Sequence, residues 1–266
     1  MYIMGKGKIM FSGYDAIASV YDNINSEIDY VKWADFIEKC FDKFLPCKPE
    51  IVLDLACGTG SMTFELRDRG YDMIGADSSE DMLSEAYIKA SELGSNNILF
   101  IKQDMRDFEL YGTVGAVCCC LDSINYLTGD GDLEKCFANV HNYLDPDGIF
   151  IFDVNTPYKF ERIYGNNHYI FEDNAADGAT AYCGWQNEYD ADSKLCNFYL
   201  SVFTEDEDGR FTRVDEVQTE RCYDKDELTS RLEDAGFEPL GIFADYSFSA
   251  PTEQTERWYI AARAKK

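Results

Sequence analysis

The residue with the clearest chemical consequence is Asp54, within the stretch VLDLACGTGSM over residues 52–62. A run of branched apolar residues stops there at an acid, and a small-residue loop containing Gly58 and Gly60 follows. Glycines let a backbone approach a ligand closely. A carboxylate facing the same loop repels a pyrophosphate and attracts a ligand with positive charge. Asp77, nineteen residues after Gly58, is placed to accept hydrogen bonds from ribose hydroxyls. These residues point to a cationic nucleoside. A nicotinamide dinucleotide would also use two glycines and a later acid, but its loop needs a third small residue where this chain has Thr63.

Such residues need a scaffold that brings strand ends together. From residue 51 to about 153, short runs that are apolar throughout alternate with helical stretches, as in IVLDL then SMTFELRDRG, and YDMIGAD then SSEDMLSEAYIKASELG. Runs of this kind suit strands covered on both faces, with helices as right-handed crossovers to parallel neighbours. The pattern predicts a doubly wound α/β, Rossmann-like sheet. Gly70 and Gly94 fall where helices should end, as left-handed caps. Upstream, DYVKWADFIEKCFDKFL puts Val31, Ala34, Ile37, Phe41 and Phe44 on one stripe, and GYDAIASVYDNI reads as another helix. This region, 1–48, is expected to pack on the sheet as a lid.

Beyond residue 156 the character changes. HYIFED, ATAYCGWQNEYD, LCNFYLSVFTED and FTRVDEVQTERCY are aromatic-rich and roughly alternating, with DADSK and DEDGR as turns. They predict an antiparallel β lobe inserted at 157–223. A helix then begins with Asp224 as N-cap and Glu227 as capping-box partner, and strands EPLGIFADY and RWYIAARAK return to the first sheet. The α/β domain is thus expected to comprise residues 1–156 and 224–266.

Lys and Arg total 24 against 50 Asp and Glu, a formal net charge of -26. No Lys/Arg cluster interrupts this acidity, which disfavours nucleic acid and anionic membrane as partners. The ten cysteines lie in apolar stretches such as AVCCCL and form no CxxC pair, and only His141 and His168 could join them at a metal. Buried reduced thiols and no metal site are expected. No stretch approaches the ~18 apolar residues that span a bilayer, and a cytoplasmic location is the simplest expectation.

S-Adenosylmethionine carries a sulfonium and an ammonium group and no phosphate, so it answers the charge argument at Asp54. VLDLACGTG followed by MIGADSSEDML, IKQDMRDF and VCCCLDSINYL resembles the class I, seven-stranded S-adenosylmethionine-dependent methyltransferases over 51 to about 155 and the last forty or so residues. The resemblance implies strand order 3-2-1-4-5-7-6 with the last strand antiparallel. It implies that Asp54, Ala56, Gly58 and Gly60 surround the methionine half, that Asp77 holds the ribose with Ser78 and Met82 nearby, and that Asp104 and Met105 bracket the adenine. Leu121 and Asp122 would lie closest to the sulfur and the acceptor. YDAIASVYDNI and YVKW are similar to bacterial small-molecule methyltransferases acting on amino sugars or glycine-like amines. There Tyr14, Tyr21, Tyr30 and Trp33 would line the methionine end and the acceptor mouth.

Each residue also has a plainer reading. Asp77 could start a helix, Asp104 could belong to a polar turn capped by Asp107, and Tyr14 and Tyr21 could be core packing. Cys57 lacks a nearby histidine to activate it, and Cys118 to Cys120 fall on a strand expected to be buried and lack the preceding proline of enzymes that attack pyrimidine carbon through a thiolate. LDSINYL contains no proline, unlike the corresponding motif of nucleic-acid amino-methyltransferases. Methyl transfer from a sulfonium needs alignment and exclusion of water more than a base. An amine must still arrive neutral, and Tyr14, Asp122 and Tyr126 are the candidates to orient the acceptor or take its proton. The expected activity is methylation of a small molecule at an amine or hydroxyl. Alternatives are a transfer-RNA or other nucleic-acid methyltransferase, a dehydrogenase on the same sheet and a non-catalytic S-adenosylmethionine sensor.

Overall fold

The computed structural model describes residues 21–24, 28–95, 97–174, 180–206 and 208–266. Tyr14, and with it most of the first expected helix, lies outside them. Strands β1 (Ile51–Leu55), β2 (Asp72–Asp77), β3 (Leu99–Lys102), β4 (Val114–Cys119) and β5 (Leu144–Asn155) run parallel. They are joined by β10 (Phe237–Phe243) and β11 (Arg257–Ala264). The sheet order is β3-β2-β1-β4-β5-β11-β10, and β11 is antiparallel to both its neighbours. Counting only strands of this sheet, that is 3-2-1-4-5-7-6, as expected. The order reverses between β1 and β4, so the carboxyl ends of these two strands open a crevice.

Both faces of this sheet are covered. On one face Leu53, Val117, Phe150, Phe152 and Ile260 pack with α5 (Asp132–Tyr143) and α6 (Lys225–Asp234). On the other, Val52, Ala116, Cys118 and Ile151 pack with α2 (Tyr30–Phe44) and α3 (Ser61–Asp68). The buried face of α2 is Trp33, Ala34, Phe36, Ile37, Cys40 and Phe41. Val31, expected on that stripe, is 55% exposed, because Trp33 and Phe36 rotate the contact face toward Tyr259 and Phe243. Gly70 and Gly94 take φ +87° and +63° past α3 and α4 (Glu80–Glu92), the left-handed region that glycine enters without strain.

The expected strands of the insertion form a second sheet of β6 (His168–Asn174), β7 (Thr180–Asp190), β8 (Leu195–Glu205) and β9 (Phe211–Arg221), an antiparallel meander in that order. It is tied to the first sheet through a 3-10 turn, Ser123–Tyr126, that follows β4. Asn125 donates to the Arg221 carbonyl at 2.8 Å and accepts from the Asn155 amide at 2.9 Å. Tyr126 donates to Gln218 Oε1 at 2.9 Å.

The capping box expected at α6 does not form. Asp224 is the N-cap residue, yet its side chain makes no cap bond. Lys194 draws the Asp224 carboxylate away, and Glu227 pairs with Arg221 at 2.8 Å. Tertiary ion pairs have displaced the local motif.

Candidate active site

Asp54 is fully buried in β1, where strand register sets it between Gly75 of β2 and Cys118 of β4. Its Oδ2 accepts from the Thr63 hydroxyl at 2.5 Å. Its Oδ1 is buried without a hydrogen-bond partner among the described residues. Burial raises its pKa to about 7, against the Thr63 hydrogen bond, which favours the charged form. A buried, half-satisfied carboxylate is costly unless a ligand completes it. Thr63, weighed in the sequence only as an obstacle to dinucleotide binding, is thus the residue that anchors Asp54.

Asp54 faces a pocket at the β1/β4 crevice whose walls include Tyr21, Tyr30, Ala56, Gly58, Cys120 and Leu121. Gly58, at φ +55°, has open space where a Cβ would stand, and its amide donates to Asp77 Oδ2 at 2.8 Å. Gly60 does not line this wall. A Cβ there would meet Phe64 and Phe100 at 3.0 and 3.2 Å, so the second glycine serves packing under the loop. Asp77 Oδ1 accepts from the Ser79 amide at 2.8 Å, and Ser79 caps α4 by accepting from Met82 N at 3.2 Å. Burial pushes Asp77 above its ordinary pKa, opposed by the Ser79 and Gly58 amides. Ser78 is exposed on this turn, and Met82 is buried in the first turn of α4.

The other expected residues fall in different surroundings. Asp104 receives Arg106 Nε at 2.8 Å and the Arg106 amide at 2.9 Å, so it caps its own turn, while Met105 packs on the core. Trp33 lies away from the pocket wall, with no exposed surface, edge-on to Tyr259 at 5.1 Å between ring centroids. Its position is that of a core residue. The pocket thiols Cys57 and Cys120 are pushed well above their ordinary pKa by burial and by Asp54, which suits structural cysteines and not nucleophiles. Among the described residues no three His, Cys, Asp or Glu converge as a metal site.

Opposite Asp54, the chain leaving β4 turns through two consecutive left-handed residues, Leu121 (φ 59°) and Asp122 (φ 55°). Asp153 of β5 holds this turn, accepting from the Leu121 amide at 2.7 Å and the Asp122 amide at 3.1 Å. Arg257, on β11, binds both acids, reaching Asp122 Oδ1 at 2.8 Å and also pairing with Asp153. Burial would raise Asp122, but Arg257 and then Lys159 outweigh it and hold the carboxyl below its ordinary range. Sequence reasoning found Asp122 but missed Asp153, Arg257 and Lys159, which lie in unremarkable stretches far along the chain.

Residues 52–148 match a family described as a methyltransferase domain. A crystal structure of an S-adenosylmethionine-dependent methyltransferase from Clostridium acetobutylicum ATCC 824 superposes with a TM-score of 0.83 at 32% identity, covering 95% of this chain and 99% of that one. Fold, crevice and matches agree: the chain belongs to the class I S-adenosylmethionine-dependent methyltransferases. Among particular relatives, it is similar to YqeM of Bacillus subtilis (strain 168), named as a methyltransferase, at 34% identity over 95% of this chain and 98% of the relative. It is also 30% identical, over 51% of each chain, to the dTDP-3-amino-3,6-dideoxy-alpha-D-glucopyranose N,N-dimethyltransferase of Streptomyces fradiae.

Proposed function

We propose that this enzyme methylates a small-molecule amine at the β1/β4 crevice, with the β lobe at 157–223 forming the acceptor side. The observation that carries the reading is Asp54, which lines the same pocket as Leu121 and whose buried Oδ1 has no hydrogen-bond partner among the described residues. Asp54 would hold the ammonium end of S-adenosylmethionine, Ala56 and Gly58 its methionine backbone, and Asp77 its ribose hydroxyls. Asp77 already accepts from backbone amides on its turn, and its remaining acceptor capacity would serve the ribose hydroxyls. Asp104 and Met105 would flank the adenine, with Ser78 and Met82 beyond the ribose.

The bound cofactor supplies a methyl group on a sulfonium, whose charge is neutralised as the methyl leaves. This chain's residues then have three tasks. Tyr21 and Tyr30 cover the pocket and exclude water. The Leu121–Asp122 turn fixes the acceptor opposite Asp54, and Tyr126, anchored to Gln218, joins that wall to the inserted sheet. Asp122 receives or orients the acceptor's proton, and Tyr14, outside the described residues, remains a candidate for the same task. The net charge of -26 favours a neutral or cationic acceptor over a polyanion. The Streptomyces fradiae relative, which by its name dimethylates an amino-sugar nitrogen, supports an amine.

The test is incubation of the purified enzyme with methyl-tritiated cofactor and fractionated metabolites. Label in a small, cation-exchangeable product is expected. Label confined to RNA or protein would overturn the reading.

A further inference from the structure

A second cavity, of about 230 Å³, opens where the end of β5, the start of β11 and the first residue of α6 meet, and it shares no lining residue with the crevice pocket. Its volume is below the ~300–1,000 Å³ of sites for drug-sized ligands, so it suits a smaller molecule. Trp258 of β11 and Lys225, which opens α6, line it together, with Lys225 Nζ 4.8 Å from the centre of the Trp258 ring. Strand alternation turns Trp258 and its neighbour Arg257 to opposite faces of the sheet. Arg257 reaches Asp122 at 2.8 Å, while Trp258 packs with the core residues of α5 and α6.

Two groups of this cavity are chemically incomplete. Trp258 is 7% exposed, and its Nε1 is buried with no hydrogen-bond partner among the described residues. A buried donor in that state is destabilising until a water or a ligand completes it. The indole nitrogens of Trp33 and Trp185 are also without partners, but neither residue lines this cavity. Lys225 makes no ion pair among the described residues, in a chain where Asp and Glu outnumber Lys and Arg by 50 to 24. The ammonium asks for negative charge and the indole N–H for a lone pair, and an oxyanion supplies both.

The rest of the lining narrows the choice of anion. Glu253, exposed at the cavity, repels a dianion such as phosphate more than a singly charged carboxylate. Pro157, Tyr158 and Pro251 add apolar wall. The two sides are tied together without a ligand, because Thr156 donates its hydroxyl to the Thr255 carbonyl at 2.6 Å and its amide to the Glu256 carbonyl at 3.1 Å. We propose that this cavity is a second binding site, for a small monocarboxylate with a compact apolar body, whose carboxylate pairs with Lys225 and accepts from the Trp258 N–H. The site is separate from the methyl-transfer crevice and stands without the small-molecule amine reading.

The indole N–H is also the reporter. The chain has three tryptophans, so a proton–nitrogen spectrum contains three indole signals, which through-bond experiments assign in the wild-type protein. Benzoate is the probe. It should move the Trp258 signal saturably and leave those of Trp33 and Trp185 in place, also when S-adenosylhomocysteine fills the crevice. Lys225→Met keeps the aliphatic stem over the ring and removes the charge, and it should weaken benzoate at least tenfold while the thermal melt is unchanged. Benzamide, the neutral match in shape, should bind at least tenfold more weakly than benzoate, and inorganic phosphate should compete poorly. A Trp258 signal that stays fixed well into the millimolar range of benzoate would sink the site. Equal binding of benzamide, or full benzoate affinity in Lys225→Met, would refute the carboxylate pairing. Displacement of benzoate by S-adenosylhomocysteine would move it to the crevice, and phosphate binding above benzoate would reverse the choice of anion.

Discussion

Two sides of one pocket hold their acids in opposite ways. On the side proposed for the cofactor, Asp54 and Asp77 are held by uncharged donors, the Thr63 hydroxyl and the amides of Gly58 and Ser79. Such donors fix a carboxylate and leave its charge for a cationic ligand. On the side proposed for the acceptor, Asp122 and Asp153 are held by Arg257, with Lys159 close by. There the protein compensates the charge itself. The contrast separates a wall that waits for a charge from a wall that balances its own.

Removing the balancing cation should have the largest effect. Arg257→Met leaves Asp122 and Asp153 with Lys159 alone, and uncompensated buried charge of this kind costs about 3–5 kcal/mol. A fall in Tm of roughly 10 °C is expected by calorimetry, and pairing it with Asp153→Asn should recover much of the loss. A small shift in the single variant would erase the distinction between the two walls.

Asp54→Asn should do the reverse on the other wall. Cofactor affinity is expected to fall by about a hundredfold, roughly 2.7 kcal/mol, by isothermal calorimetry. The unliganded protein should become more stable above pH 7. The sign follows from a carboxyl raised from its ordinary range near 4 to about 7. The folded state binds a proton the unfolded chain has lost, so stability falls as pH rises between those values, on the order of 2–4 kcal/mol in all. For the same reason wild-type cofactor affinity should drop about tenfold per pH step of one below 7, and the Asn variant should be flat.

The same contrast explains what the sequence made legible. Asp54, Gly58 and Asp77 lie in short motifs whose members touch across adjacent strand ends, so spacing along the chain reports their geometry. The Asp54–Gly75 register is an instance. Asp153 and Arg257 are 104 residues apart, and their partnership exists only because β11 returns antiparallel beside β5. Apolar alternation revealed both sheets for the same local reason. It could not reveal that Glu216, Gln218 and Glu220 on β9 face inward, because polar residues at alternate positions read as the solvent side of a strand. Trp33 misled in the opposite direction, since an aromatic beside a recognised motif can serve the core alone.

Smaller perturbations sharpen the comparison. Thr63→Val removes the hydroxyl donor from Asp54 and leaves its carboxylate only the backbone amide of residue 63, a change of about 1–3 kcal/mol in the charged form. The Asp54 pKa should therefore rise above about 7, and cofactor affinity at pH 7 should fall roughly tenfold while recovering at higher pH. Affinity that stays low at every pH would mean that Thr63 shapes the loop and does not tune the charge.

The smallest effect is expected at Asp22, in the helical turn α1 (Tyr21–Ile24). Its carboxylate accepts from the Thr59 hydroxyl at 2.6 Å on the glycine loop and pairs with Lys89 of α4. Its neighbour Tyr21 packs against Cys183, Leu200 and Val202 of the inserted sheet. Asp22 thus links the two walls through one partly exposed ion pair, 39% exposed on the acid side, and such pairs contribute about 0–1 kcal/mol. Asp22→Asn keeps an oxygen for Thr59 and loses the charge facing Lys89. Stability should fall by under about 1 kcal/mol, and cofactor release, followed by stopped-flow fluorescence, should quicken by less than about fivefold. Near 1 M salt, where screening acts within roughly 3 Å, the variant and wild type should release the cofactor at the same rate. A difference that survives high salt would place the link in the Thr59 hydrogen bond and make α1 a rigid part of the cofactor wall.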